Sequence, residues 1–196
     1  MNNSRQHILD IALTLFSNKN FKEVTLNDIV MSSGLSKGAF YHFFKSKEAV
    51  FKEVVDFLFV QWMNPDYTLF ATSSFNDFIS SYLKWIKNKV SKADSEAKKL
   101  NINFYLIVFE ASKFIPDFEE KLVQMQRDEL KAWQKVIANA QKSGEIKKTL
   151  SAETIAKLFL EIGNGIGIRL TTSKQQSQIQ KELSMAWQSV YKLIAA

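Results

Sequence analysis

Tyr41, His42, Lys45 and Lys47 crowd hydrogen-bond donors into one short stretch, behind two small residues, Gly38 and Ala39, and a further cation, Lys37. This mixture contacts phosphates, and small side chains let a helix backbone approach a groove closely. Glycine inside a helix costs about 1 kcal/mol against alanine, so stability is not the reason for Gly38. The chemistry this predicts is non-covalent: recognition of a polyanion, with no bond made or broken.

Chemistry of other kinds finds no foothold. The histidines are His7 and His42 alone, and no His, Asp and Glu cluster has metal-ligand spacing. Cysteine is absent, which excludes disulfides, thiolate metal sites and thiol sensing. The glycines of EIGNGIGIR sit in a helical pattern and do not follow a strand, so they form no phosphate loop. Paired carboxylates such as Glu119–Glu120 and Asp128–Glu129 read as solvated helix faces. The expectation is a protein that is not an enzyme and holds neither metal nor cofactor.

The donors need a frame, and residues 25–48, TLNDIVMSSGLSKGAFYHFFKSKE, spell one. Thr25 is an N-cap, and Asp28 places a carboxylate in the positive first turn. Leu26, Ile29 and Val30 then make one apolar face. Gly34 ends that helix cheaply, and Ser36 caps a second one through Phe43, with Phe40 as its anchor. Two helices on a short glycine turn form a helix-turn-helix, whose second helix fits a DNA major groove.

The remainder also reads helical. A first helix spans about residues 4–17, with Ile8, Ile11, Ala12, Leu15 and Phe16 on one face. A fourth starts at Ser46 and runs towards residue 63. Residues 64–74 break the pattern at Pro65, and a stripe from Phe75 through Phe78, Ile79, Tyr82 and Ile86 to Val90 follows. The run INFYLIVF, residues 102–109, is apolar nearly all round and predicts a helix buried among others. A long helix runs from Phe118 to its end at Gly144, another is capped by Ser151, and a last one carries Ile179 to Ile194. Residues 91–99 are expected as an exposed loop with helix ends. Gly163, Gly165 and Gly167 predict close approach of another helix, with the shaping of a pocket second.

The whole chain, 196 residues with 46% hydrophobic and 23% charged, suits a globular protein. Its net charge of +6 permits a polyanionic partner, but it is spread evenly along the four quarters and cannot carry that inference. The opening residues lack the apolar core of a signal peptide, and no apolar run is long enough to span a bilayer. A cytoplasmic setting without membrane contact is expected.

Residues 8 to 60 resemble the N-terminal domain of the TetR family of bacterial transcriptional regulators. The resemblance rests on ILDIALTLFSNKNFKEVTLNDIVMSSGLSKGAFYHFFKSKEAVFKEVV, about a quarter of the chain. Val30 and Ser33 stand where family members mostly carry alanine. The resemblance implies that Asn27, Lys37, Gly38 and Ala39 reach base edges, and that Thr25, Tyr41, His42 and Lys47 hold the DNA backbone. It implies an all-α fold: a three-helix DNA-binding domain over 1–46, then a helical effector-binding and dimerisation domain over 47–196, with helix 4 linking the two.

It also implies a homodimer paired through the last two helices, where Phe159, Ile166, Leu183, Trp187, Val190 and Ile194 are the expected contacts. A pocket among the middle helices is implied too. Its candidates are Phe57, Trp62, Phe78, Tyr82, Trp85, Tyr105, Phe109, Trp133 and Asn164, with Tyr82, Tyr105 and Asn164 as polar handles. So many aromatic residues suggest a lipophilic or aromatic small-molecule effector. The function expected is a repressor, released from a palindromic site on double-stranded DNA by that effector. A same-fold factor controlled by a protein partner, or a helical carrier with a degenerate motif, is the alternative.

Overall fold

A computed structural model describes residues 2–59, 65–100, 104–173 and 175–196. They form α-helices: α1 (Asn2–Asn18), α2 (Leu26–Ser33), α3 (Lys37–Phe43), α4 (Lys47–Leu58), α5 (Phe75–Leu100), α6 (Phe104–Phe114), α7 (Phe118–Ser143), α8 (Ala152–Thr172) and α9 (Ile179–Ile194). Short 3-10 turns stand at Tyr67–Leu69 and Gln176–Gln178. Among the described residues there is no strand, only one isolated bridge between Ile146 and Ala195.

Local chemistry sets the helix ends. Thr25 Oγ1 accepts from the Asp28 N–H at 3.1 Å, while the Asp28 carboxylate accepts from the Thr25 N–H at 2.8 Å, a reciprocal capping box. Gly34 closes α2 at φ 68° and Gly144 closes α7 at φ 82°, backbone angles that a side chain resists. Ser36, Ser46 and Ser151 each accept from a backbone N–H three residues on, which starts α3, α4 and α8.

The chain divides into two compact units. The first comprises residues 1–65 and 95–119. In it α1 packs on α2, α4 and α6, and α4 packs on α6. Ile8, Ala12, Phe16, Ile29, Phe40, Val50, Phe51 and Val54 are its fully buried core. Each of these side chains other than Ala12 stabilises by about 1.5–3 kcal/mol relative to an exposed one. Val30 and Ser33 are buried as well, and the Ser33 hydroxyl donates to the Val30 carbonyl at 2.8 Å, so it leaves no unpaired polar group.

The helix α6 differs from expectation. Its buried residues, Ile107, Glu110 and Ala111, lie on one face, the flanking residues are half-buried, and Phe109 is 62% exposed. A run apolar all round predicted burial on every side; one apolar side here meets α1 and α4. Glu110, the buried polar residue, accepts from the Phe21 N–H at 3.0 Å and from Lys113 Nζ at 3.0 Å. The Phe21 ring lies between Phe51 and Phe114, each 4.7 Å away by ring centroids.

The second unit comprises residues 66–94 and 120–196. Phe75, Phe78, Ile79, Trp133, Ile137, Ile155, Phe159, Leu183 and Trp187 form its core. The Glu145 carboxylate caps α5, accepting from the N–H groups of Phe75 at 2.9 Å and Asn76 at 3.0 Å, and from the Tyr191 hydroxyl at 2.9 Å. Burial, and then that carboxylate neighbour, push the Tyr191 phenol up to about 12. A Cβ at Gly163 would meet the Trp187 ring at 3.2 Å, so α8 does approach α9 closely there, whereas Gly165 has nothing within 4 Å. The Lys-rich residues 91–99, expected as a loop, continue α5.

Candidate functional site

The helix α3 has one buried side chain, Phe40, which fixes it to the first unit. Its other residues are therefore free to face outward. Lys37, Gly38, Tyr41 and His42 are exposed, Ala39 is half-buried, and space around Gly38 is open. Thr25 and Asn27 at the start of α2 are exposed too. Between Asp28 and Glu48 the chain holds three lysines and no carboxylate. That local imbalance, hidden when charge is averaged over quarters of the chain, is what a polyanion would meet.

Lys47 is placed differently from the exposed donors. It is half-buried, and its ammonium donates to the carbonyl oxygens of Phe21 and Val24, both at 2.8 Å. It also lies 4.1 Å from the centre of the Phe21 ring. Two of its three donors are thus spent on the loop between α1 and α2. In this structure Lys47 holds that loop to α4, and it reaches outward with one hydrogen at most.

The aromatic residues expected around an effector belong to both units. Phe78, Tyr82, Trp85 and Trp133 meet in the second unit, with Tyr82 lying 6.2 Å from Phe78, 5.5 Å from Trp85 and 5.3 Å from Trp133. Phe57, Tyr105 and Phe109 belong to the first unit, where Phe57 and Phe109 are exposed. Asn164 is exposed on α8, and Trp62 lies outside the described residues. A helix stripe records which residues share a face and not which unit that face serves.

Sequence reasoning missed the polar centre of that cluster. Glu129 Oε1 accepts from the Tyr67 hydroxyl at 2.8 Å and from the Tyr82 hydroxyl at 3.1 Å. Burial pushes the Glu129 carboxyl up, against the two hydroxyls that pull it down, and pushes both phenols up. Trp133 Nε1, one turn further along α7, is buried without a partner. The solvated face expected at Asp128–Glu129 holds for Asp128, which is exposed, and fails for Glu129. The signal was its spacing: Leu122, Met125, Glu129, Trp133 and Val136 share one helical stripe.

Four of the residues expected at a dimer interface are core residues of their own unit. Phe159, Leu183, Trp187 and Ile194 are buried within their own unit, Trp187 to 2% exposure, and its Nε1 donates to the Phe159 carbonyl at 2.9 Å. Ile166 and Val190 are partly buried against the same core. The exposed apolar residues of α8 and α9 are others: Leu158, Ile168, Met185 and Leu193. The strongest apolar stripe was used for the unit's own core.

Known proteins share this arrangement. Residues 8–54 match the family model of bacterial regulatory proteins, tetR family. The transcriptional regulator AcrR of Shigella flexneri is 43% identical over 51 residues, 26% of this chain and 24% of that protein. The transcriptional repressor KstR2 of Mycolicibacterium smegmatis is 44% identical over 55 residues, 28% of this chain and 27% of that protein. The chain thus matches about a quarter of the length of these relatives. Among solved structures, a SmeT–triclosan complex superposes with a TM-score of 0.70 at 18% identity, covering 99% of this chain and 92% of that one. With the helix-turn-helix built as its residues dictate, residues 8–54 form a DNA-binding domain of the kind found in bacterial regulatory proteins of the tetR family, and the rest of the chain shares the fold of those regulators.

Proposed function

We propose that this protein is a ligand-responsive transcriptional repressor that binds a palindromic site on double-stranded DNA as a homodimer. The observation that carries the reading is α3: one buried anchor, an outward set of Lys37, Gly38, Tyr41 and His42, and no carboxylate from residue 29 to 47. Lys37, Gly38, Ala39 and Asn27 read base edges in this proposal, while Thr25, Tyr41 and His42 hold phosphates. Lys47 organises the loop behind them. The DNA-contacting part lies within residues 1–46, and the effector and dimer functions lie beyond it.

Two observations support the dimer. One short recognition helix reads few base pairs, and two-fold pairing doubles the site. Leu158, Ile168, Met185 and Leu193 also leave apolar surface of α8 and α9 uncovered in a single chain.

The effector is assigned to the second unit, around Phe78, Tyr82, Trp85 and Trp133. A protein of similar fold was solved with triclosan, and KstR2 is named a repressor. An effector releases DNA only by binding the DNA-incompetent state more tightly, so the coupling must be reciprocal. Selection of bound duplexes from a random pool tests the proposal. It predicts two inverted half-sites, and an enriched site without two-fold symmetry would overturn the dimeric reading.

A further inference from the structure

The effector assignment above leaves the ligand's charge open, and the polar centre of the second unit narrows it. Tyr67 and Tyr82 both bond to Glu129, and Phe70, Trp85 and Trp133 pack around the Tyr82 ring. Phe70 and Tyr82 are 5.2 Å apart by ring centroids, Tyr82 and Trp85 5.5 Å, and Tyr67 is stacked 6.4 Å from Tyr82. Both tyrosine hydroxyls converge on a single oxygen, Glu129 Oε1. The second oxygen takes no bond from a described group, and the residue as a whole is half-buried.

Among the described residues no lysine, arginine or histidine pairs with Glu129. A second carboxylate, Glu161 on α8, acts on it as a like charge. A core chosen for stability alone would not place an acid here, since a carboxylate drawn from water without a cation is costly. The faces of tyrosine and tryptophan rings carry negative potential and attract cations. Carboxylate and rings therefore favour the same sign of guest, and both disfavour an anion.

We propose that Tyr67, Tyr82, Trp85, Glu129 and Trp133 form a recognition site for a small organic cation with aromatic or apolar substituents. Glu129 supplies the countercharge through Oε2, and the tyrosine hydroxyls hold Oε1 so that the second oxygen stays aimed. The rings of Tyr82 and Trp85 cover the cation. The unpartnered Trp133 N–H provides a donor for an acceptor atom on the same guest. The proposal rests on the reading of this unit as the effector site.

Three probes of similar size and different charge test it: tetraphenylphosphonium, tetraphenylborate and neutral triphenylmethanol. Binding to the full-length protein is read by calorimetry and by quenching of tryptophan fluorescence. Tetraphenylphosphonium should bind at least tenfold more tightly than either other probe. Glu129→Gln, which keeps an oxygen acceptor for both tyrosines, should remove that preference by weakening tetraphenylphosphonium binding most, with the far-ultraviolet spectrum as the check on folding. If the variant fails to fold, the order of the three affinities for the wild-type protein still decides.

Triphenylmethanol or tetraphenylborate binding as tightly as the phosphonium would overturn the cation assignment and leave the effector site standing. A preference for the phosphonium that survives Glu129→Gln would overturn the role of Glu129. Absence of binding by all three would overturn the effector-site reading together with the proposal.

Discussion

The two units place their polar side chains in opposite ways. In the first, charged groups that the fold needs are turned inward, as Lys47 and Glu110 both hold the backbone of Phe21, and those left over face outward on α3. In the second, the side chains that could meet a ligand are themselves core: Phe78 and Trp133 are fully buried, and Tyr82 nearly so. A recognition surface made of spare residues can change without loss of fold. A binding site made of core residues cannot, and substitutions should expose the difference.

The largest effect is expected in the second unit. Trp187→Ala removes a buried indole, its bond to the Phe159 carbonyl and its packing on Gly163, and should cost about 3–5 kcal/mol in urea unfolding. Met185→Glu and Leu193→Glu, at side chains 63% and 77% exposed, should leave folding of the monomer nearly unchanged and shift sedimentation towards the monomer. If Trp187→Ala dissociated the dimer without loss of stability, the division between core and interface would be wrong.

Lys47 and Lys37 sharpen the comparison inside the first unit. Lys47→Ala deletes two charged hydrogen bonds to carbonyls and a ring contact, and should destabilise by about 2 kcal/mol. Lys37→Ala, at an exposed residue, should leave stability within about 0.5 kcal/mol. It should lower DNA affinity chiefly at particular base pairs, by about 1–3 kcal/mol. Glu110→Ala should cost about 1–3 kcal/mol, because it leaves the buried Phe21 N–H without an acceptor.

The smallest effect concerns the capping box. Thr25→Ala should cost about 1 kcal/mol. Bonds from the Thr25 N–H and hydroxyl hold the Asp28 carboxyl below its ordinary value. Its folded pKa is therefore depressed, so its contribution is full above the ordinary carboxylate range and is lost as pH falls through the depressed value. Thermal unfolding of wild type and Asp28→Asn should accordingly converge in acid, and a gap that widened there would contradict the assignment.

The same comparison explains what could be read from residue order. The frame of α2 and α3 was legible because caps, the glycine turn and Phe40 act within a few residues of one another. All of Thr25, Gly34 and Ser36 are found in the roles their types dictate. The extent of α5 was not, since residues 91–99 are polar and helical together. Partner choice was the weakest point. Periodicity placed Trp187 on a stripe correctly but could not tell a neighbouring helix of the same chain from one of a second chain. Glu129 was misread because charged residues are usually exposed, although its position on the Leu122–Val136 stripe was visible.

Fluorescence anisotropy with the selected duplex and a scrambled one, each titrated at several salt concentrations, tests the central claim most directly. Sequence-specific recognition by α3 predicts at least about a thousandfold tighter binding to the selected duplex. Lys37→Ala should erase much of that ratio at one base pair in each half-site. Equal affinity for the two duplexes at every salt concentration would contradict the account.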